Sequence, residues 1–391
     1  MPFSHLAAEL DELEADGLRR RRRVVESAQG SRVVEGGREY LSFCSNDYLG
    51  LANHPALIEA LRQAASQYGV GAGASHLVSG HGAPHHQLEQ ELAAFTGQPA
   101  ALLFSTGYMA NLGIVAALAG RGGEIFADKL NHASLNEAAL LSRAKLTRYP
   151  HLDLDMLERR LAASTARRKL VATDAVFSMD GDLAPVPELA ALCERHDALL
   201  LLDDAHGFGV LGEAGRGVLE HFASRLTSGA SRIVYMATLG KAAGVFGAFV
   251  AGPAVLTDYL VQRARSYIYT TATPPPLAAA LSASLKLIAA ESWRRERLRD
   301  SIAALKTGLK SSRWRLMESA TPIQPLVIGA NRETLAVSDA LRERGIWVPA
   351  IRPPTVPKGE ARLRISLSAA HSREDVARLV EALNELEKIA A

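Results

Sequence analysis

Four segments carry side chains whose type and surroundings suit chemistry. In YMATLGKAAG, Lys241 follows an apolar run and sits between Gly240 and Gly244, with Thr238 just before it. A lysine at a strand end among small residues can be desolvated, which disfavours its ammonium form and leaves an amine nucleophile. In ALLLLDDAHGFG an apolar run leads straight into Asp203, Asp204, Ala205 and His206. Two carboxylates at the end of a buried strand are costly unless a cation meets them, and either a metal ion or a protonated pyridinium nitrogen answers that need. FSTGYMANLG reads as a strand, a glycine turn at Gly107 and a helix opening near Tyr108. Such a helix N-terminus offers unpaired N–H groups and a positive dipole end, a ready phosphate site. DKLNHASL places His132 shortly after a further apolar run.

An amine, a carboxylate for a pyridinium nitrogen and a phosphate cradle are together the parts that pyridoxal phosphate requires. Asp203 and Lys241 are far enough apart to come from different strands of one sheet, with a cofactor between them.

The elements that must position these groups are legible as periodicity. Apolar runs occur at Ala101 to Phe104, Ile125 to Ala127, Leu170 to Phe177, Leu199 to Leu202, Ile233 to Ala237 and Phe246 to Ala251. Runs without alternation suit strands buried on both faces, so an α/β domain with a mostly parallel sheet sandwiched by helices is expected. Ligands in such sheets sit at the carboxyl ends of the strands, where Ser105, Asp128, Ser178, Asp203 and Thr238 all fall. HPALIEALRQAASQYG and PHHQLEQELAAFTG read as helices, with proline at the start and glycine past the end. Leu6, Leu10 and Leu13 recur at helical spacing, predicting an amphipathic helix from about Ser4 to Arg22 docked on the body. The run Pro274 to Pro276 ends the helix–strand pattern, because three prolines continue neither a helix nor a central strand. Helical sequence with a few strands follows. The expected division is therefore an N-terminal helical and short-strand segment over 1–50, a large domain over 51–276 and a smaller α+β domain over 277–391.

Composition bounds the partners. Lys plus Arg at 44 against Asp plus Glu at 42 leave +2, too little for a field that collects nucleic acid or anionic membrane. The acidic N-terminus does not read as a signal peptide and no apolar stretch reaches spanning length, so a cytoplasmic protein is expected. Cys44 and Cys193 are too few for a zinc site or a disulfide scaffold and are read as structural; no metal ligands are assigned. The run Arg19 to Arg23 suits either a phosphate or carboxylate grip or a solvated helix end.

Assembled, these residues resemble the α-oxoamine synthase family of pyridoxal-phosphate enzymes over nearly the whole chain. The resemblance rests on SFCSNDYLGL, LVSGH, STGYMAN, NHASL, VFSMDGDLAP, DDAHGFGVLGEAGRG, TLGKAAG, SYIYTTATPP and AIRPPTVPKGEARLRISLSAAH. It implies the transferase fold of type I, pyridoxal phosphate as cofactor and a homodimer with shared active sites. By the same resemblance Lys241 holds the cofactor as a Schiff base and shuttles a proton, Asp203 pairs with the pyridinium nitrogen and His132 stacks on the ring. His206 with Ser178 bonds the phenolic oxygen. Thr238 and the backbone of Gly107 and Tyr108 hold the phosphate, joined by the partner subunit's Thr270 or Thr271. Arg364 matches the position that binds the amino acid's carboxylate, and Asn46 lies on the substrate side.

The implied reaction is decarboxylative condensation of an amino acid with an acyl thioester. AIRPPTVP and IQPLVIG favour L-alanine with a pimeloyl thioester, on coenzyme A or acyl-carrier protein, in biotin synthesis. Arg19 is the positional match for the distal pimeloyl carboxylate, with Arg20 to Arg23 left open. GVGAGASHLVSG departs from the family pattern at Ala74 and His76. The nearest alternative is a glycine C-acetyltransferase. A metal-dependent hydrolase built on Asp203, Asp204 and His206, or a cofactor-binding regulator, are readings of other classes.

Overall fold

The computed structural model describes residues 2–15 and 18–389. Strands β1 (Arg32–Glu35) and β2 (Arg38–Ser42) form an antiparallel hairpin. Gly36 and Gly37 at its tip both have positive φ, 59° and 70°, the backbone that a two-residue hairpin matching the strand twist requires.

The central sheet has seven strands: β3 (Ala100–Phe104), β4 (Gly123–Asp128), β5 (Lys145–Tyr149), β6 (Arg168–Asp174), β7 (Leu199–Asp203), β8 (Ile233–Thr238) and β9 (Ala248–Gly252). Their spatial order is β3-β9-β8-β7-β6-β4-β5. Five neighbours run parallel from β8 to β5, and β9 is antiparallel to both β8 and β3. Successive side chains enter opposite faces: Leu200 and Leu202 join one core and Leu201 the other, as Tyr235 and Ala237 do against Val234 and Met236. Burial on both faces is why these strands read as unbroken apolar runs.

Two boundaries fall short of the apolar runs. β6 stops at Asp174, and the Ala175 N–H makes the last bond to β7, reaching Asp203 O at 2.8 Å. β9 begins at Ala248, after Gly247. The edge strand β5 carries KLTRY, partly exposed and charged, and no apolar run announces it; charged side chains are how an edge avoids pairing with another chain.

The smaller unit follows with β10 (Arg315–Leu316), β11 (Ile323–Gly329), β12 (Ile346–Trp347), β13 (Ala350–Ile351) and β14 (Ala361–Ser366). Four of them form an antiparallel sheet in the order β10-β11-β14-β13, while β12 pairs in parallel with β2 and ties the N-terminal hairpin to this unit. The three prolines open a helix: Pro274 is the N-cap of Pro275–Ala290, which packs on the helices Pro55–Tyr68 and Ala83–Thr96 of the central unit. Proline is tolerated there because first-turn N–H groups have no intrahelical acceptor.

The N-terminal helix is a correction. It spans Ser4–Ala15 rather than reaching Arg22, and none of its residues is buried. The arginines beyond it take carboxylate partners instead of extending the helix: Arg21 reaches Glu14 at 2.8 Å and Arg23 reaches Glu35 at 3.3 Å. Among the described residues no helix is long and apolar enough to cross a membrane.

Candidate active site

The carboxyl ends of β4, β6, β7 and β8 deliver Asp128, Asp174, Asp203 and Thr238 to one edge of the sheet. There a cavity of about 180 Å³ is lined by Gly107, Tyr108, His132, Ser134, Asp174, Asp203, Ala205, His206, Met236, Thr238 and Lys241.

Lys241 lies in the turn after β8 with Nζ 2.8 Å from His206 Nε2. Burial lowers its pKa to about 8 against the pull of Asp203 and Asp174, so a neutral amine is within reach near physiological pH. His206 is buried, and burial together with Lys241 and Arg364 holds its pKa well below the usual range. Its ring is therefore neutral and accepts from Lys241. The second ring nitrogen lies 2.6 Å from the Tyr48 hydroxyl, and Tyr48 donates to Asn46 Oδ1 at 3.1 Å. Arg364, buried on β14, donates Nη1 to the same Asn46 oxygen at 3.1 Å and Nε to the Ser178 carbonyl at 2.6 Å. An oriented chain thus runs from Lys241 through His206, Tyr48 and Asn46 to Arg364.

Across the cavity, Asp203 ends β7. Its Oδ1 accepts the Ala205 N–H at 3.0 Å, and its Oδ2 accepts Asn111 Nδ2 at 2.8 Å. Asn111 also reaches Ser134 Oγ at 2.9 Å, which meets His132 Nδ1 at 2.8 Å. His132 caps the helix Ala133–Ser142, and its backbone N–H donates to Asp174 Oδ2 at 2.6 Å. Burial, and then the neighbouring Asp203 carboxylate, raises the pKa of Asp174 well above the usual range. Burial also lowers that of His132.

Asp204 has a different environment from Asp203. Its Oδ2 accepts the Val218 N–H and the Tyr235 hydroxyl, each at 2.7 Å. Gly207 packs so closely that a Cβ there would lie 2.1 Å from Asp204 Oδ1. Burial pushes Asp204 up to about 7. With its carboxylate used by the fold, Asp204 does not join Asp203 and His206 in a ligand set. Among the described residues the His, Cys, Asp and Glu groups close enough for a metal are His81, His86 and Glu89, and His151, Asp180 and Asp182.

The donor set fits pyridoxal phosphate. The helix Gly107–Leu118 starts at the cavity, with Thr106 as its cap, so its first N–H groups face the lining without intrahelical acceptors. A Cβ built at Gly107 would point toward Thr238 at 3.8 Å and Met236 at 3.9 Å, into the space between helix start and β8. One end therefore suits a phosphate, while Asp203 supplies an anion for a protonated ring nitrogen and Lys241 an amine for the aldehyde.

Of the residues named from sequence, Lys241, His132, Asp203, His206, Gly107, Tyr108 and Thr238 line this cavity. Asn46 and Arg364 join it through Tyr48 and His206. Ser178 does not line it; its carbonyl is taken by Arg364. Thr270 and Thr271 lie outside the lining, with Thr271 bridged to Ser75. Arg19 lines a separate cavity of about 660 Å³ with Arg20, Leu10, Leu13, Leu18 and residues 350–355. Both cysteines are pushed up to about 12 by burial, unfit as nucleophiles. Tyr48, Asn111, Ser134 and Asp174 were not singled out in the sequence. Tyr48 and Asn111 stand inside SFCSNDYLGL and STGYMAN, and that proximity to named residues was the available signal.

Fold and site define a pyridoxal-phosphate enzyme of the aminotransferase class I and II family, which residues 38–383 match. The chain is 65% identical over 371 residues to 8-amino-7-oxononanoate synthase of Nitrosospira multiformis, covering 95% of this chain and 93% of the relative. It is 62% identical over 384 residues to the enzyme of that name from Nitrosomonas europaea, covering 98% and 99%. A solved serine palmitoyltransferase from S. paucimobilis with bound PLP-myriocin aldimine superposes with a TM-score of 0.91 at 30% identity, covering 99% of this chain and 98% of that one. Within its class the chain belongs to the 8-amino-7-oxononanoate synthase family, with pyridoxal phosphate as cofactor and acyl transfer as its type of reaction. The glycine C-acetyltransferase alternative is not favoured.

Proposed function

We propose that the enzyme condenses L-alanine with a pimeloyl thioester, on coenzyme A or acyl-carrier protein, releasing carbon dioxide and free thiol and forming 8-amino-7-oxononanoate. The observation that carries this reading is the chain from Lys241 Nζ through His206 and Tyr48 to the Asn46–Arg364 pair, opposite Asp203. It sets a proton-moving amine and a carboxylate-binding guanidinium on one network.

When bound, pyridoxal phosphate supplies the electron sink for a carbanion at the amino-acid α-carbon and for loss of carbon dioxide. Lys241 holds the cofactor, then takes the α-proton of alanine and returns a proton to that carbon. Asp203, fixed by Asn111, would pair with the ring nitrogen. His132 would hold the ring, and His206 would bond the phenolic oxygen. Gly107, Tyr108 and Thr238 would hold the phosphate, with the partner subunit's Thr270 or Thr271 in a homodimer. Arg364 binds the alanine carboxylate, held in place by Asn46 and by the Ser178 carbonyl. That contact uses the Ser178 carbonyl and leaves its hydroxyl for the phenolic oxygen beside His206. The cavity of Leu10, Leu13, Leu18 and residues 350–355 takes the apolar pimeloyl chain, and Arg19 or Arg20 its distal carboxylate.

Product analysis by mass spectrometry tests the reading, with L-alanine plus pimeloyl-CoA run against glycine plus acetyl-CoA. Formation of 8-amino-7-oxononanoate from the first pair supports it. Turnover of the second pair alone would reassign the substrates. Light scattering of the holoenzyme checks the homodimer.

A further inference from the structure

Folding brings together a set of ligands that was not assigned from sequence. His86 and Glu89 stand at i and i+3 on the helix Ala83–Thr96, which places them on one face, and His81 lies two residues before that helix. One donor atom from each lies within 4.8 Å of the other two, and His81 Nε2 is 3.8 Å from Glu89 Oε2. None of the three lines the cavity around Lys241.

The surroundings prepare these groups as ligands. His81 Nδ1 is 3.0 Å from His76 Nδ1, and His76 stacks on the buried Tyr267 ring with centroids 4.9 Å apart. With the proton on His81 Nδ1, its Nε2 lone pair faces Glu89, the arrangement in which an outer hydrogen bond orients a metal-bound imidazole. Glu89 Oε1 accepts the Leu103 N–H at 2.9 Å, leaving Oε2 for the cluster. The Glu89 side chain is only 14% exposed and, among the described residues, meets no lysine or arginine. A carboxylate so placed lacks a cation. His86 is exposed and rests against Gln90 Nε2 at 3.1 Å, a contact that an ion replaces. His85 is not available, since Gly82 N–H and Thr273 O occupy its two nitrogens.

We propose that His81, His86 and Glu89 form a zinc-binding site separate from the cofactor cavity, with the fourth position open to water. Two imidazoles and one carboxylate suit Zn²⁺ better than the all-oxygen sets of Mg²⁺ or Ca²⁺. Binding would pin the turn that carries His76 and Ser75 to the helix behind it, and Ser75 is bridged to Thr271.

The test uses tag-free holoenzyme, stripped with a chelator and titrated with zinc chloride by calorimetry, with Mg²⁺ as a competitor. One Zn²⁺ per chain is expected, unaffected by Mg²⁺. His86→Ala and Glu89→Gln should each weaken binding by more than about tenfold, the loss that even an outer partner causes. Circular dichroism and cofactor absorbance confirm that each variant is folded, and the exposed His86 position keeps the test decisive if Glu89→Gln is not. Less than one Zn²⁺ per wild-type chain, or undiminished binding in His86→Ala, would overturn the assignment. Binding lost instead in His151→Asn would place the ion at the other cluster and overturn it equally.

Discussion

Lys241 Nζ lies 2.8 Å from Nε2 of His206, so this buried amine rests against a neutral imidazole rather than a carboxylate. A carboxylate at that distance would hold the lysine charged. The imidazole leaves burial to dominate and lets the amine titrate near pH 8.

Lys241→Ala should abolish turnover while leaving the circular dichroism spectrum and thermal midpoint near those of the parent. The depressed pKa also predicts how apoenzyme takes up pyridoxal phosphate. Because only the neutral amine attacks the aldehyde, the rate should climb about tenfold from pH 7 to pH 9 and then level off. Stopped-flow absorbance follows it directly; a rate still rising steeply above pH 9 would mean that the lysine keeps its ordinary pKa.

Asp203→Ala should cost orders of magnitude in rate. Asn111→Ala removes one of the two hydrogen bonds on the same carboxylate and should do less, weakening cofactor retention about tenfold, or ~1.4 kcal/mol. Dialysis followed by absorbance of the remaining cofactor measures that loss. A variant as tightly loaded as the parent would remove Asn111 from the account.

Tyr48→Phe keeps the ring and deletes the hydroxyl 2.6 Å from His206 Nδ1. A buried imidazole N–H is then left without its acceptor, at a cost of ~1–3 kcal/mol. Denaturant unfolding should report that destabilisation, and kcat should fall by about tenfold as the imidazole loses its orientation. Stability equal to that of the parent would show that another group satisfies the ring.

Arg364→Ala should raise KM for L-alanine by more than about tenfold, since a charge-assisted contact is worth ~1.5–3 kcal/mol. Arg364→Lys should not restore it. An ammonium cannot donate at once to the Ser178 carbonyl and to Asn46 in the geometry of a guanidinium fork. Initial-rate kinetics on both variants separate charge from shape.

His151 bridges Asp128 at 3.0 Å and Asp182 at 2.8 Å. Burial opposes its charge, but the two carboxylates outweigh it and raise the pKa to about 10 from 6.5. A raised folded-state value means that the stabilisation is complete below about pH 6.5 and is lost as pH rises through about 10. His151→Asn should therefore destabilise by ~1–2 kcal/mol at pH 6, after allowing for solvent around a half-buried ring, and by much less at pH 10. Thermal melts at the two pH values check it; an equal loss at both would mean that the ring acts through packing alone.

Much of the catalytic edge was legible from one-dimensional pattern. Lys241, Asp203 and Thr238 stand where apolar runs stop, and in a sheet covered on both faces a run stops where the strand reaches the ligand-binding edge. The Gly107 turn was readable for the same reason. Periodicity did not reveal β5, because an edge strand is half exposed and KLTRY has no apolar run to display. Nor did it limit the N-terminal helix to Ala15, since three leucines at helical spacing define a stripe without saying whether anything covers it.

The sequence by itself determined six of the seven central strands, because burial on both faces is written residue by residue, and its motifs carried the resemblance that implied the cofactor and the family. Tertiary structure alone decided that Asp204, beside the Asp203 already named, serves Val218 and Tyr235. It alone joined Tyr48 to His206, Asn111 to Asp203, and Arg364 to Asn46, which stand 158, 92 and 318 residues apart. Those pairings depend on how separate elements pack, and no local period records which distant side chain meets a given donor.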